Sequence, residues 1–484
     1  LALLLFILAF FQRLVGLEMI EAAHGDAIGY WLTARRWAEG LGWEPSNHRM
    51  ARVALLGPPA ALIEALGSHP ALYYVWPLLS SALVAPLLYL GGKRLGSREG
   101  GFAAALLWAF APLPFRDSSQ LLPDPLMGAC VLAAAVALWS SLEAVKRRET
   151  WAWGVAAGAA LFLAWSSKIS LIYFGPAFAL LFFATVRLKP RAWIAFGGAF
   201  ATLLTVEWMV YALVFSEWGG PLGVAARTYG LSGRLRPLSL GQLLLGRFGT
   251  LGSGEWAALL AFAVAGAVAW RGRWMPRFWI LLPLSYLAFH VLHVKSLVPL
   301  VPASVFSARY FAPLWPFAFI VIGFACTRLR HWQRPVLALA CIAGFVLAVR
   351  SGFKNGDHAL ARVFQNARFV AQAQSSDIPI LLDPRVDRVR AGRWVRRAFS
   401  RECCEDMDGK IDRRFWVLGE QRIAETKRAL LAPADYFDRQ PVLSTSCRFL
   451  EFRRGDAAWA EKSCATSAAR IVSAAHAYQR GGGQ

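Results

Sequence analysis

Asp26 stands in the stretch HGDAIGYWLTARRWAEGLG, the first place along the chain where a carboxylate lies beside cationic and aromatic side chains. A carboxylate at the head of a helix can move a proton as a general base. The same placement suits an N-cap, because an Asp there satisfies free backbone N–H groups. A second acid, Asp124 in LLPDPLMG, also opens a helix-like run. Followed by Pro125, it reads either as an N-cap ahead of a first-turn proline or as a site carboxylate. Lys168 lies between two apolar segments, and Arg309, next to Tyr310, at the outer end of another. A charge near membrane depth is a functional group by default, although a lysine there can also snorkel to the interface. His48, Arg49 and Arg52 cluster just before Val53. Acids that move protons and cations that hold anions are the ingredients of transfer chemistry.

The elements that position these residues are apolar. Of 484 residues, 57% are hydrophobic, and long apolar runs recur from the start to about Arg350. They have almost no polar face, whereas the surface helices of a soluble protein are amphipathic. The chain therefore reads as an all-α polytopic membrane domain over 1–350, followed by a small C-terminal α/β domain over 351–484. Expected spans are 1–17, 72–90, 100–115, 125–142, 151–167, 169–186, 192–215, 255–270, 278–294, 310–327 and 335–350, about eleven in all. About a dozen apolar residues precede Gln12 and Arg13, short of the roughly 20 a span needs, so further residues are expected ahead of Leu1.

Charge orients this array. Five short loops carry three basic residues each: Lys93/Arg94/Arg98, Lys146/Arg147/Arg148, Arg187/Lys189/Arg191, Arg271/Arg273/Arg277 and Arg328/Arg330/Arg334. With eleven spans all five fall on one side, which the positive-inside rule makes cytoplasmic. The net charge of +22 is thus membrane topology, not a nucleic-acid surface; the tail beyond Arg350 carries only +7 of it. The opposite face receives the loop 18–71, the loop 116–124, the loop 216–254 and the tail. Two short surface helices are expected in 18–71, one from Asp26 to about Gly40 and one from about Val53 to Gly67. The 216–254 loop breaks the charge rule, with Arg227, Arg234, Arg236 and Arg247 against Glu217. Either long loops translocate regardless of charge, or an anion site lies at the outer face.

The tail reads as a different material, with strand-like runs at 378–383 and 413–419 and a helix-like run at 419–432. Its four cysteines, Cys403, Cys404, Cys447 and Cys464, can form up to two bridges on an oxidising side, reaching Cys447 or Cys464. His24 with Asp26, and His290 with His293, suggest metal ligands, but neither pair has further partners at metal-site spacing, and no metal or other cofactor is assigned.

In this order the motifs resemble the GT-C superfamily of polytopic glycosyltransferases. Within it they resemble bacterial family 39, whose relatives include protein mannosyltransferases and aminoarabinose transferases. Arg13 matches the basic residue ending the first helix, and Asp26-Ala27-Ile28-Gly29-Tyr30 the acidic D-E-x-x-Y motif, with Ala27 in place of the second acid. GGKRLGSREGGFAAALLWAFAP, LLPDPLMG, LAWSSKISLIYFGPA and ARYFAPLWP resemble four later family segments.

The resemblance implies a sugar carried on a polyprenyl phosphate, an envelope lipid, glycan or protein acceptor, and an active site on the periplasmic face of a bacterial inner membrane. Asp26 is then the base, with Asp124 supporting it or positioning the acceptor. Lys168, Arg309, Arg49 and Arg52 serve the donor phosphate, and Tyr30, Tyr310 and His48 the substrate. Besides donor and acceptor, the partners implied are membrane lipids, with no nucleic acid. Two other readings share the pattern: a lipid-linked glycan ligase or phospho-group transferase of similar architecture, and a transporter or flippase. The last expects repeat symmetry, which the sequence lacks, and charges spread through the spans, which hold few ionisable residues apart from Glu207, Lys168 and the His290/His293 pair.

Overall fold

The computed structural model describes residues 1–15, 26–40, 52–67, 72–111, 114, 120–231, 237–272, 276–297, 300–302 and 307–328, together with strands at 380–382, 415–418 and 449–452. Helices occupy ten of the eleven expected span segments; the eleventh, 335–350, lies outside the described residues. Among the described residues, four helices are long and apolar enough to cross a membrane: Leu72–Arg94, Pro123–Glu143, Pro190–Phe215 and Ala308–Thr327.

Helix α1 (Ala2–Val15) carries Arg13 in its last turn, buried. Two helices follow where the first loop was expected to hold them, α2 (Asp26–Ala38) and α3 (Val53–Leu66). Next come α4 (Leu72–Arg94) and α5 (Arg98–Phe110), the latter N-capped by the Ser97 hydroxyl, which accepts from Gly100 N at 3.0 Å. Arg13 donates to Ser81 Oγ on α4 at 2.6 Å and to the carbonyls of Trp108 and Ala109 at 3.1 and 3.4 Å. Those carbonyls belong to the last turn of α5, which has no helical donors left to satisfy them. Arg13 therefore ties three helices together through the dipole end of one of them.

Helices α6 (Pro123–Glu143) and α7 (Arg147–Ser167) run antiparallel and pack along their length. This hairpin decides where the chemistry sits. It brings the start of α6, with Asp124, beside the end of α7, with Lys168, and sends Lys146, Arg147 and Arg148 to the far end. Of the two readings of Asp124, the N-cap does not hold, because the helix begins earlier: Leu122 is the N-cap, Pro123 follows, and Asp124 lies inside the first turn. Lys168 caps α7 in extended conformation and leads into a 3-10 turn, Ile169–Phe174, and α8 (Gly175–Thr185).

Helix α9 (Pro190–Phe215) packs back on α7 and stops at Ser216, whose φ of 55° turns the chain. Then follow α10 (Gly220–Leu231) and α11 (Leu240–Phe248). A capping box opens α11: Ser239 Oγ accepts from Gln242 N at 3.2 Å, and Gln242 Oε1 from Ser239 N at 2.9 Å. Helices α12 (Ser253–Gly272) and α13 (Arg277–Val291) lead to an antiparallel pair, β1 (Val294–Leu297) and β2 (Leu300–Pro302). A second 3-10 segment, Ala308–Leu314, enters α14 (Trp315–Arg328). These helices share a large apolar core, with Leu88, Leu132, Phe174, Trp279, Phe317 and Phe324 buried in it.

In the tail, β3 (Ile380–Leu382) pairs in parallel with β4 (Phe415–Leu418), and β4 antiparallel with β5 (Phe449–Phe452). Strands β3 and β4 fall within the two expected runs; β5 was not foreseen. The helix-like run 419–432 and the four tail cysteines lie outside the described residues. The chain divides into two compact units, Leu1–Gly16, Thr33–Leu62 and Tyr74–Gly352 in one, and Leu17–Leu32, Ile63–Tyr73 and Phe353–Gln484 in the other.

Candidate functional site

Within the first of these units, five residues singled out from sequence come together: Arg52, Asp124, Lys168, Arg309 and Tyr310. Asp124 is 1% exposed and forms an ion pair with the Lys168 ammonium. Lys168 was expected as an unpaired charge; the α6–α7 hairpin gives it a partner. A buried carboxylate without one is costly, which explains why this acid is tolerated inside the first turn of an apolar helix.

Lys168 also lies over the Tyr310 ring, 4.3 Å from its centroid, and the Arg309 guanidinium lies 5.1 Å from the same centroid. Arg309 Nη2 donates to the Tyr310 hydroxyl at 3.4 Å, and Tyr286 Oη donates to the Tyr310 carbonyl at 2.8 Å. Tyr310 is thus an aromatic plate in contact with two cations and tied to α13 through Tyr286. Its approach to α6 depends on Gly128, one turn beyond Asp124. A Cβ there would lie 2.7 Å from Pro313 Cα, so only glycine lets the 3-10 segment pack backbone to backbone on α6.

Two further arginines complete the group. Arg52, just ahead of α3, is buried, and its charge acts on Lys168. The backbone N–H of Ala54, two residues on, donates to Ser166 Oγ near the end of α7 at 3.1 Å, which anchors this entry beside Lys168. Arg247, in the last turn of α11, is 1% exposed and donates to the His293 carbonyl at 3.1 Å. Tyr310 and Tyr173 lie close enough to Arg247 to interact with it electrostatically. Beneath the cations is an aromatic floor: Tyr173, Tyr286, His290, His293 and Phe311 stack or meet edge to face at centroid distances of 5.0 to 5.9 Å.

The electrostatics follow from burial and crowding. Burial lowers the Lys168 pKa from the ordinary ammonium range; Asp124 opposes this, while Arg52 and Arg309 press it down further. Burial likewise holds Arg247 below the usual guanidinium range. Four cations that converge, two of them lowered by burial, repel one another, and a bound dianion offsets that repulsion.

The other sequence candidates are placed differently. Asp26 is the first residue of α2, as expected, but its side chain lies outside the described residues, as do His48 and Arg49. Tyr30, one turn along α2, is buried. Trp31, beside it on α2, is fully buried and packs edge to face on Tyr73 at 5.7 Å, so it is core. Arg247 was visible only as one of four loop arginines, and nothing in the sequence marked Tyr173 or Tyr286. His290 and His293, read as a metal idea, belong to this floor; among the described residues no three metal-ligating side chains converge.

Residues 60–211 match the family model described as dolichyl-phosphate-mannose-protein mannosyltransferase. No curated protein matches the sequence. Among solved structures, the chain is similar to ArnT from Cupriavidus metallidurans bound to undecaprenyl phosphate, with 14% identity, TM-score 0.58, and coverage of 93% of this chain and 97% of that one. The apo state of the same protein matches at 13% identity and TM-score 0.57, over 93% and 97% of the two chains. The Archaeoglobus fulgidus oligosaccharyltransferase, in complex with zinc and sulfate, matches at 13% identity and TM-score 0.48, over 83% of this chain and 61% of that one. The chain therefore resembles GT-C membrane glycosyltransferases, in fold over nearly its whole length and in sequence over 60–211.

Proposed function

We propose that the protein is a membrane glycosyltransferase that takes a sugar from a polyprenyl-phosphate donor and passes it to an envelope lipid, glycan or protein. The observation that carries this reading is the cluster of Arg52, Lys168, Arg247 and Arg309: Lys168 and Arg309 lie over the Tyr310 ring, Arg247 interacts with Tyr310, and the Arg52 charge acts on Lys168. Such a group matches the chemistry of a lipid phosphate, an anion presented at the membrane surface. The match to the mannosyltransferase family model and the likeness to a protein that binds undecaprenyl phosphate support the same donor class.

In the reaction the acceptor hydroxyl or amine attacks the anomeric carbon of the donor sugar. Asp26 takes the proton that the acceptor loses, and the bond from the anomeric carbon to the phosphate oxygen breaks. The phosphate departs with added negative charge, and the four cations stabilise it where that charge develops. Asp124 holds Lys168 in place rather than accepting the proton, because its carboxylate is already committed to the ammonium. From the first loop, Arg49 serves the donor phosphate as well, and His48 and Tyr30 take substrate roles. The basic helix ends opposite the site face the cytoplasm, so the site and the domain from 351 onward face the periplasm.

The test separates binding from transfer. The purified protein in liposomes is assayed for transfer from a panel of polyprenyl-phosphate pentoses and hexoses to an envelope fraction. Asp26→Asn is expected to keep donor affinity and lose transfer by about 100-fold or more; Lys168→Met is expected to lose affinity. Undiminished turnover in folded Asp26→Asn removes Asp26 from the mechanism.

A further inference from the structure

His290 lies in the last turn of α13 and is 4% exposed. Its ring stacks on Tyr286, at 5.9 Å and 12°, and meets Phe311 and Tyr310 edge to face at 5.0 and 5.9 Å. Both tyrosines are held by the 2.8 Å bond from Tyr286 Oη to the Tyr310 carbonyl, so the imidazole has little freedom to turn. Its own carbonyl accepts from His293 N at 3.3 Å, and the His293 carbonyl accepts from Arg247 at 3.1 Å. The ring is therefore fixed in the site, between the residue that carries one cation and the plate that carries two.

One atom of this arrangement is unexplained by packing. His290 Nε2 is buried and has no hydrogen-bond partner. Buried polar atoms are nearly always satisfied, because leaving one unmade forfeits its hydration with no return. A single aromatic residue in place of His290 would stack equally well on Tyr286 without that cost. The charges of Arg247 and Lys168 both act on the ring, and Tyr310, which the ring meets at 5.9 Å, carries Lys168 4.3 Å from its centroid, so the imidazole lies in the field that draws an anion to those cations.

Resting on the reading of a polyprenyl-phosphate donor, we infer that His290 Nε2–H is a hydrogen-bond donor to the phosphate of the lipid carrier. Nothing in the sequence match or the charge pattern assigns this residue. The inference gives the site a further phosphate contact, one that orients without adding charge.

The experiment titrates undecaprenyl phosphate onto the full chain in nanodiscs, comparing wild type, His290→Phe, His290→Gln and Lys168→Met. His290→Phe keeps the ring and its stack but removes the donor; affinity is expected to fall by about tenfold to a hundredfold, the worth of a hydrogen bond to a charged group. His290→Gln, whose amide N–H can reach the same acceptor, is expected to recover most of it. Wild-type binding that Lys168→Met weakens and His290→Phe leaves unchanged overturns this assignment alone. Equal losses in His290→Phe and His290→Gln overturn it too, by pointing to packing. Absence of saturable wild-type binding overturns both it and the reading beneath it. Should His290→Phe fail to fold, a wild-type structure with the lipid decides: a phosphate oxygen within about 3.5 Å of Nε2 supports the contact, and a longer separation overturns it.

Discussion

Replacing Gly128 by alanine tests whether the site is assembled by backbone contact. The added methyl would lie 2.7 Å from Pro313 Cα, 3.1 Å from its carbonyl oxygen and 3.3 Å from its carbonyl carbon. Comfortable carbon–carbon separation is about 3.5–4.0 Å, so roughly 1 Å has to be found. The obstructing atoms are main chain on both sides, so no side chain can rotate away. Overpacking of this kind costs about 1–3 kcal/mol, which alone leaves a folded protein. Its effect on function is larger, because Pro313 shares the 3-10 segment Ala308–Leu314 with Arg309 and Tyr310. A shift of about 1 Å in a positioning group can cost about 10²-fold in rate. Gly128→Ala is therefore expected to melt slightly below wild type, while transfer from polyprenyl-phosphate sugar falls about 100-fold. The control is Gly197→Ala on α9, where an added Cβ meets nothing within 4 Å. Gly128→Ala with wild-type melting and turnover within about threefold of wild type would refute the argument that this glycine sets Arg309 and Tyr310 against α6.

Three further outcomes follow from the same geometry. Lys168→Met leaves the Asp124 carboxylate buried without its partner, a loss of about 3–5 kcal/mol; adding Asp124→Asn is expected to restore much of the thermal stability but none of the undecaprenyl phosphate affinity. Because burial lowers the Lys168 pKa, raising the pH removes its charge before an ordinary lysine would lose its own. Lipid phosphate affinity is then expected to decline on the alkaline side below the usual lysine range, and Lys168→Arg to flatten that decline in a binding titration. Arg13→Met strands the carbonyls of Trp108 and Ala109, at about 1–3 kcal/mol for each buried group left unmade. Its melting temperature in detergent is expected to fall, while affinity per folded molecule stays at the wild-type value.

Much of this arrangement was legible in the chain. Apolar period and length located the helices, because a lipid-facing or helix-packed segment must be apolar along its whole run. The two surface helices in the first loop were readable from the turn signals around them. Asp124, Lys168, Arg52 and Arg309 stood out because charge at such positions is expensive. What they touch was not legible. The Asp124–Lys168 pair joins residues 44 apart, and only the antiparallel hairpin of α6 and α7 makes them neighbours. The start of α6 was misjudged because an Asp-Pro pair mimics a cap, while the actual N-cap, Leu122, makes no side-chain bond. Arg247, Tyr286 and His290 were beyond reach for a similar reason. An arginine in a basic loop and aromatics on an apolar helix look like every other such residue until packing aims them at one point. Strand β5 carries alternation over only four residues, too few to separate from its surroundings.

The scatter of the site along the chain bears on how the protein is made. Arg52, Asp124, Lys168, Arg247 and Arg309 arrive in that order, each on a different segment. A ribosome feeding this chain into the membrane completes the early helical hairpin well before Arg309 and Tyr310 emerge. Until they do, Lys168 lacks its aromatic plate, and the nascent protein has no full cradle for a lipid phosphate. A chain truncated before residue 309 is therefore expected to show no saturable binding of undecaprenyl phosphate.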